Sequence, residues 1–379
     1  MRQRCFALLL AIAFALGLAS SVAVRTASGT QGTTVPGGTI RTNTTWDLAG
    51  SPYRIEGNVT VEVGPQAVTL TIQAGVEILF DGPYSLITGG ASRIDAIGTA
   101  PRPILFRPLS NATSAGLWGK LFLTSGDYLT VYGGTGVELP QGLPGLTIHH
   151  STIKSSVSGI LLQPINYAQV SDSIIRNVQA IGLQLGGTGS STFRNLTIDG
   201  ARTAVQFDHW GQPMTGVDPS NNLLDHLTVN VSEVFRQNAG DRKPSATNLL
   251  LNSSLKDSDV VFLDPFPGHA YRNNVVGNVR DFGGFATGGV GSFDDGSRGN
   301  YWSHYNGTDT DHDGIGDTPY GPDRFPLMSP IPGAGTQTPS SGEAPSASLT
   351  PVVWATAVVT VATVAVLLWI RSRRGQQGR

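Results

Sequence analysis

The sequence predicts an all-β chain that folds as a single-stranded right-handed parallel β-helix, and three observations lead to this prediction. Between residues 34 and 300, short β-rich pieces alternate with turns of Gly, Asn, Asp and Ser, and helix signals are almost absent. Pairs of apolar residues, five positions apart, recur at steps of 21 to 31 residues. The turns of an antiparallel sandwich would instead fall every ~8–12 residues.

The repeating unit is one coil of the predicted β-helix. Its apolar pairs are Ile148/Ile153, Val170/Ile175, Phe193/Ile198, Leu224/Val229, Leu250/Leu255 and Tyr271/Val276. Each pair brackets a polar turn such as "SDSI" or "RNLT", and a second short strand such as "GILL" or "GLQL" follows several of them. Ordering ~22 residues costs roughly 1–2 kcal/mol each, which four or five buried side chains do not offset. We therefore expect about ten stacked coils, in a rod about 50 Å long, with covered ends.

The coil pattern divides the chain into segments. Residues 34–110 are predicted to form an N-terminal cap and the first coils, residues 111–290 the main β-helix, and residues 291–328 a C-terminal cap. The longest step between pairs follows Phe207, so that "DHWGQPMTGVDPSNN" is predicted to protrude as a loop. Insertions of this kind in a repeat fold are frequent contact sites.

Both ends of the chain resemble targeting segments. Residues 1–23 have a basic start, an apolar run and the small-residue site "SVA", which predict a cleaved signal peptide, with a first membrane anchor as the alternative. Residues 352–370 carry no charge and would span about 28 Å as a helix, so we predict a transmembrane helix rather than a buried core helix. The basic tail, 371–379, would then be cytoplasmic. Residues 329–351 are rich in Pro, Ser and Thr and predict an extended stalk.

Composition restricts the chemistry and the partners of the exported part. Cys5, the only cysteine, lies in the predicted signal, so we expect no disulfide and no thiolate chemistry. Six of the 25 basic residues lie in the two end segments, which leaves 19 against 27 acidic residues and argues against nucleic acid as a partner. Seven N-x-S/T sequons predict a glycosylated exterior, although a Thr-rich β surface could produce them by chance. They start at Asn43, Asn58, Asn111, Asn195, Asn230, Asn252 and Asn306.

Two stretches resemble a known family. "GNVTVEVGPQAVTLTIQAGVEILF" with "IDAIGTAPRPILF" looks like the opening of many archaeal and bacterial β-helix surface proteins. "SFDDGSRGNYWSHYNGTDTDHDGIGDTPY", with "DRFPLM", resembles the C-terminal signature of the NosD-like β-helix family, which is sometimes described as periplasmic copper-binding. Together they cover roughly residues 34–328. The resemblance implies a right-handed parallel β-helix, and it says little about activity because this fold hosts both enzymes and inert scaffolds.

The acidic stretch "DTDHDGIGD" has the spacing of a calcium loop. Asp309, Asp311, Asp313 and Asp317 match positions 1, 3, 5 and 9 of such a loop, and the carbonyl of Ile315 matches position 7. Position 12 falls on a tyrosine rather than a glutamate, and Asp323 is the candidate that could fold back to replace it. We expect weak calcium binding, on the order of 10⁻⁴–10⁻³ M. The alternative is a solvated Asp-Gly turn without a cation.

The block before this loop is predicted to close the end of the rod. The last coil of a β-helix exposes apolar side chains and open strand edges, which must be covered. Tyr301, Trp302 and Tyr305 supply large aromatic surface, and Asp294 and Asp295 are expected to add hydrogen bonds. A bound calcium ion would then pin the acidic loop across this end.

Copper is the cofactor that the family resemblance implies, and the residues support it less well than calcium. The seven histidines are scattered, and His149 and His150 would point to opposite faces of a strand. His304 stands where the family signature more usually carries Asp, and His312 where it more usually carries Gly. These two histidines are the candidate copper site, and surface positions without a metal are the alternative.

Binding is the predicted function, with two alternatives left open. A rod face of stacked polar side chains with occasional aromatics suits contact with glycans or other envelope components, and Trp210 and His209 in the protruding loop are the candidate contacts. Turn acids such as Asp172, Asp257 and Asp259 lack the strings typical of polygalacturonases or pectate lyases. We therefore expect a non-catalytic surface protein held by one membrane span. A copper-binding accessory protein and a polysaccharide hydrolase or lyase are the alternatives.

Overall fold

The structure, a computed structural model, describes residues 32–62, 66–138, 145–209, 218–238, 247–283 and 291–337. These residues form an all-β parallel solenoid of about ten turns. The chain passes repeatedly through three stacks of parallel strands, here called files one, two and three, and always in that order. A single 3₁₀ turn, Leu48–Gly50, is the helical element among the described residues.

Each file stacks one short strand from every coil. File one contains β3 (Thr44–Trp46), β6 (Thr69–Gln73), β9 (Arg93–Ile97), β12 (Ser125–Asp127), β15 (Thr147–His149), the first halves of β18 (Gln169–Arg176) and β20 (Thr192–Asp199), β22 (Leu223–Asp225), β25 (Asn248–Leu251), β28 (Gly268–Tyr271) and β31 (Gly291–Ser292). File two contains β1 (Thr33–Val35), β4 (Tyr53–Ile55), β7 (Glu77–Phe80), β10 (Ile104–Pro108), β13 (Leu129–Tyr132), β16 (Thr152–Lys154), the second halves of β18 and β20, β23 (Thr228–Asn230), β26 (Ser254–Lys256), β29 (Asn274–Val276) and β32 (Tyr301–Trp302). File three contains β2 (Gly38–Ile40), β5 (Val59–Val61), β8 (Leu86–Thr88), β11 (Lys120–Phe122), β14 (Gly136–Glu138), β17 (Ile160–Leu162), β19 (Ile181–Gly186), β21 (Thr203–Asp208), β24 (Glu233–Asn238), β27 (Val260–Phe262) and β30 (Arg280–Phe282).

The predicted apolar pairs form two inward columns, one in file one and one in file two. The register places Ile148, Val170, Phe193, Leu224 and Leu250 in one column and Ile153, Ile175, Ile198, Val229 and Leu255 in the other. The last predicted pair, Tyr271/Val276, is wrong by one residue. Ala270 and Val275 are 0% exposed and point inwards, whereas Val276 is 37% exposed. Ala270 and Val275 are five positions apart, and so are Tyr271 and Val276. The sequence favoured the second pair because Tyr271 is much larger than Ala270.

The corner between files one and two explains the polar turn inside each pair. In seven successive coils one residue there has a positive φ, which Asn and Asp adopt more readily than other residues with a side chain. These residues are Tyr128, His150, Asp172, Asn195, His226, Asn252 and Arg272. Each of these seven coils therefore changes direction at one left-handed residue, whereas longer segments such as 98–103 and 293–300 make this corner in coils nearer the two ends.

Buried polar side chains satisfy the backbone at this corner. The hydroxyl of Ser253 accepts the N–H of Leu227 from the coil before, at 3.0 Å. Asn273 then accepts from Ser253 at 2.9 Å, and Asn300 accepts from Asn273 at 3.0 Å. We call this series the corner ladder. It provides acceptors for N–H groups that would otherwise be buried without a partner.

A second ladder of the same kind follows the corner between files three and one. Ser191 accepts the N–H of Ala168 at 2.9 Å, Asn222 accepts from Ser191 at 3.1 Å, and Asn248 accepts from Asn222 at 3.1 Å. The amide of Asn248 also donates to the carbonyl of Pro267 in the next coil, at 2.8 Å. Three of these side chains, those of Ser191, Asn222 and Asn248, are at most 1% exposed.

The corner between files three and one is here called the insertion corner. The five internal stretches outside the described residues all fall between a strand of file three and the following strand of file one. They are residues 63–65, 139–144, 210–217, 239–246 and 284–290. Strand pairing between successive coils continues on both sides of each of these stretches.

Residues 331–337, here called the strap, run back along the outside of file two. The side chain of Asn274 exchanges two hydrogen bonds with the backbone of Ile331, at 2.8 and 2.9 Å. Thr336 donates its N–H to the hydroxyl of Thr228, two coils earlier, at 2.8 Å. The first part of the predicted stalk, up to residue 337, therefore lies against the rod and runs towards its N-terminal coils.

The predicted signal peptide, transmembrane helix and cytoplasmic tail, with the rest of the predicted stalk, lie outside the described residues. In the part of the chain that is described, no helix has the length and apolar character needed to cross a membrane. These segments therefore stay predictions from the sequence.

Candidate functional site

The C-terminal end of the apolar interior is covered by aromatic rings. Trp302 is 1% exposed and lies with its ring centroid 5.0 Å from that of Phe282 and 5.3 Å from that of Tyr320. Phe293 packs edge-on against Phe262 of β27 at 4.8 Å. Rings of this size bury much apolar surface in few residues, which suits the closure of a solenoid end.

Asp323 closes the corner ladder. Its Oδ2 accepts the backbone N–H of Asn300 at 2.8 Å and the indole N–H of Trp302 at 2.7 Å, and its Oδ1 accepts the N–H of Phe325 at 3.0 Å. The residue is 0% exposed. It thus ends the series of buried acceptors, and it does not turn towards the acidic loop as the twelfth calcium ligand that the sequence suggested.

Burial dominates the protonation of Asp323. Removal from water raises the pKa of its carboxyl to about 6, against the opposing effect of the hydrogen bonds from Trp302, Asn300 and Phe325. Between about pH 4 and pH 6 the folded protein therefore binds more protons at this site than the unfolded chain. The contribution of the protonated Asp323 carboxyl to the free energy of unfolding is therefore full at low pH and is lost as the pH rises through this window.

Asp294 and Asp295 hold the segments that carry the cap. Both oxygens of Asp294 accept from the guanidinium of Arg324, at 2.6 and 3.1 Å. Burial pushes the pKa of Asp294 upwards, but the hydrogen bonds and charge of Arg324 outweigh this and lower the pKa below its usual value. Asp295 accepts from the hydroxyl of Ser297 and the N–H of Arg298, and these bonds lower its pKa too.

A buried carboxylate joins the last coil to the cap. Oδ2 of Asp281, in β30, lies 3.0 Å from Nδ1 of His304 and accepts the hydroxyl of Tyr320 at 2.8 Å. The Asp281 side chain is 1% exposed, whereas that of His304 is 43% exposed. Among the described residues, Oδ1 of Asp281 has no hydrogen-bond partner. Burial and the Asp281 carboxylate together raise the pKa of Tyr320, so its phenol stays protonated and donates.

The acidic loop rests on Tyr305. The Tyr305 hydroxyl donates to the carbonyl of Thr318 at 2.9 Å. A Cβ added to Gly307 or to Gly316 would lie 2.1 or 2.0 Å from that hydroxyl, so both positions need glycine for this contact. The loop is also paired with the chain that follows, through an isolated bridge between Ile315 and Leu327. The loop is therefore a packed part of the cap.

Three of the predicted calcium ligands come together in this loop. Asp309, Asp311 and Asp313 place one carboxylate oxygen each within 4.8 Å of one another. Asp309 accepts the N–H groups of Asp313 and Gly314, at 3.2 and 3.0 Å, which holds its carboxylate towards the turn. Gly314 has a φ of 86°, which glycine permits at no cost.

The other predicted ligands have separate partners. Oδ2 of Asp317 accepts from the hydroxyls of Thr310 and Thr308 at 2.6 and 3.0 Å, and these bonds lower its pKa. Asp317 is not part of the three-carboxylate group. Ile315 donates its N–H to Asp313 at 2.8 Å. Tyr320, at the twelfth position, donates to Asp281 and faces the interior.

The candidate copper ligands do not form such a group. Among the described residues, the only cluster of three or more acidic, His or Cys side chains that could hold a metal is the one in the acidic loop, and it includes neither His304 nor His312. The expectation that His149 and His150 face opposite ways is wrong. His150 has a φ of 46°, so strand alternation ends there, and the two rings lie 6.4 Å apart.

An open groove of about 560 Å³ lies beside the cap, on the face of file one. Leu249, His269 and Ser292 form one row along the rod, because their strands are paired in register. Tyr271 begins a second row beside Leu251. The groove is lined by Thr247, Leu249, His269, Tyr271, Ser292, Asp294, Asp295, Gly296 and Arg324.

Of the two contact residues predicted from the sequence, His209 lies at the insertion corner. Nδ1 of His209 is 2.8 Å from Oδ1 of Asp218, so the two ends of the predicted loop are joined. Trp210 lies outside the described residues. Thr247, on the same corner one coil later, is where the groove begins.

The sequons differ in exposure. Five of them are on exposed asparagines, whereas Asn195 and Asn252 are half-buried at the corner between files one and two. The exposed ones are Asn43, Asn58, Asn111, Asn230 and Asn306. The side-chain amides of Asn195 and Asn252 both donate to an aspartate of the preceding coil, at 2.7 and 2.9 Å.

Comparison with known proteins does not indicate a function for this chain. No family model matches the chain, and no curated protein matches it. Because a parallel solenoid hosts unrelated activities, the groove and the cap are the features from which a function can be argued.

Asp323→Asn tests how the cap is closed. Both oxygens of Asp323 accept N–H groups, and in asparagine one of them is replaced by an N–H₂ group, which cannot accept a hydrogen bond. We therefore expect the variant to be less stable than the wild type at pH 4. As the pH rises from 4 to 7 the wild type loses the contribution of its protonated carboxyl, so the gap in unfolding free energy should narrow by about 2–3 kcal/mol. Urea unfolding at several pH values measures this gap. A gap that widens with pH would contradict the raised pKa.

Proposed function

We propose that the chain is a non-catalytic cell-surface protein that binds carbohydrate of the envelope or of neighbouring cells, through the groove on file one. In this proposal it is a right-handed β-helix of the NosD-like type, anchored by residues 352–370 with the solenoid outside the membrane. The observation that carries the proposal is the groove itself, which combines in-register rows with fixed hydrogen-bond acceptors beside the insertion corner.

The groove has the two kinds of surface that a sugar needs. Leu249, His269 and Tyr271 offer apolar or aromatic faces for the C–H side of a pyranose ring. The carboxylate of Asp295, whose side chain is 22% exposed, offers acceptors for hydroxyl groups, whereas that of Asp294 is 1% exposed and is bonded to Arg324. Rows that repeat at the ~4.8 Å spacing of the coils favour an extended ligand lying across several coils.

The charges in the groove favour a neutral ligand. Asp294 is bonded to Arg324, and Asp295 lies 3.8 Å from the guanidinium of Arg272, so the acids are offset by neighbouring bases. A ligand that carries many charges of one sign would find no uniform field there. A neutral polysaccharide, which offers many hydroxyls and few charges, matches this surface better.

The protonation of the groove favours binding over hydrolysis. A glycoside hydrolase needs one carboxylic acid whose pKa is raised, so that it can protonate the leaving oxygen. The pKa values of Asp294 and Asp295 are both lowered, which keeps these groups ionised. The carboxyl with a raised pKa, Asp323, is 0% exposed and cannot meet a substrate without opening the cap.

The acidic loop fits a calcium ion in part. Carboxylate oxygens are the ligands that a hard divalent cation prefers, and Asp309, Asp311 and Asp313 supply three of them. A bidentate carboxylate at the twelfth position is missing, which fits weak rather than tight binding. An ion there would offset the repulsion of the three charges and stabilise the loop against Tyr305. Its role in this proposal is structural.

One observation favours the alternative, a copper-binding accessory protein. The buried carboxylate of Asp281 holds Nδ1 of His304, which leaves Nε2 as the free nitrogen of a half-exposed ring. A carboxylate behind a histidine is a common arrangement behind a metal ligand. Copper binding below micromolar concentration that is lost in His304→Ala/His312→Ala would favour this alternative over the carbohydrate proposal.

Tyr271→Ala tests the groove. We expect binding to the best ligand of a neutral-glycan panel to weaken about tenfold or more, because the side chain provides the aromatic face of the second row. Tyr167→Ala is the matched control, since Tyr167 is 63% exposed and does not line the groove. Equal binding by both variants, or no binding to any glycan by the wild type, would refute the proposal. Release of reducing ends or unsaturated sugars would instead favour an enzyme.

Asp311→Asn tests the calcium loop. For a dissociation constant near 10⁻³ M, 10 mM calcium should stabilise the wild type by about 1.4 kcal/mol, seen as a higher melting temperature. Asp311→Asn removes one of three clustered ligands and should abolish most of this shift. Asp317→Asn is the control: it weakens bonds to Thr308 and Thr310 and should lower the melting temperature with or without calcium. A wild type that does not respond to calcium would leave the loop as a solvated turn.

A further inference from the structure

The strap ends on a sequon. Asn195 is followed by Leu196 and Thr197, which makes it an acceptor for N-glycosylation. Its Oδ1 accepts the N–H of Gln337 at 2.6 Å, and its Nδ2 donates to the carbonyl of the same residue at 3.0 Å. This asparagine thus binds the backbone of Gln337, the last residue of the strap, which lies 142 positions later in the chain.

Both hydrogens of the Asn195 amide are in use when the strap is docked. One is donated to the carbonyl of Gln337 and the other to Oδ1 of Asp172, at 2.7 Å. Asn195 has a φ of 54° at the corner, so its side chain is fixed between the preceding coil and the strap. A substituent on Nδ2 must therefore break one of these two bonds.

We propose that N-glycosylation of Asn195 and docking of the strap exclude each other. The Asn195 amide would then act as a latch that holds the strap only while it is unmodified. In the modification, Nδ2 forms a bond to the anomeric carbon of a lipid-linked sugar phosphate. The bond from that carbon to the phosphate oxygen breaks, and Nδ2 loses one proton. The sugar then occupies the side of the amide on which Gln337 lies.

The latch decides how far the strap lies along the rod. With the strap docked, residues 331–337 reach from Asn274 to the coil of Asn195. With a glycan on Asn195, Gln337 is released from that coil. The exposed sequon at Asn230 has no such contact, so its modification leaves the strap unaffected.

A disulfide across the strap reports docking. The hydroxyl oxygens of Thr228 and Thr336 lie 3.1 Å apart, so Thr228→Cys/Thr336→Cys should form a disulfide when the strap is docked. The full chain, with Cys5→Ser, is produced in a host that modifies Asn230, and molecules with and without a glycan on Asn195 are separated by mass. We expect about tenfold less disulfide in the molecules modified at Asn195.

Two further variants separate the effect of the glycan on Asn195 from the effect of strap docking. Thr197→Val removes the sequon but keeps Asn195, and all of its molecules should form the disulfide. If Asn195 carries no glycan in the wild type, Thr336→Pro/Gln337→Pro, which removes two N–H donors of the strap, should expose it to modification. Equal disulfide in both populations would overturn the proposal. An Asn195 that stays unmodified even in the proline variant, while Asn230 is modified, would overturn it as well.

Discussion

The structure depends on one constraint: a stack of short parallel strands must find an acceptor for every backbone N–H at its corners. Strand pairing satisfies the flat parts of each coil, but a corner turns its N–H groups into the interior. Ser253, Asn273 and Asn300 supply the acceptors, each for the coil before it. The series must stop somewhere, and Asp323 stops it by accepting the last N–H from a residue outside the coils.

The closure of this ladder connects the fold to the candidate site. The turn that delivers Asp323 also places Arg324 over Asp294 at the edge of the groove. The same segment continues past the acidic loop, which it pairs through Leu327, and into the strap. Residues 294–337 therefore contribute to the cap, to one end of the groove, to the acidic loop and to the strap. A change that opens the cap is expected to disturb the groove as well.

The sequence predicted the solenoid because its signal is periodic, and it missed what depends on contacts between distant residues. The apolar pairs located two inward columns, and they failed at Tyr271/Val276, where a small Ala took the core position. The Ser or Asn that follows four of the seven left-handed residues is visible in the sequence, but its role as an acceptor needs the coils to be stacked. Asp323 is a calcium candidate in the sequence because only its charge is visible there. The strap resembled a stalk because its contacts are made by backbone and by asparagines far away.

Hydrogen exchange at the corners tests the central claim most directly. The amides of Ser253, Asn273 and Asn300 donate to side chains, so in an ordinary turn they would exchange quickly. If the corner ladder closes the solenoid, these three amides should exchange as slowly as those of the neighbouring strand β29, and they should open together with it. Exchange at the rate of exposed turns, while β29 stays protected, would contradict this account.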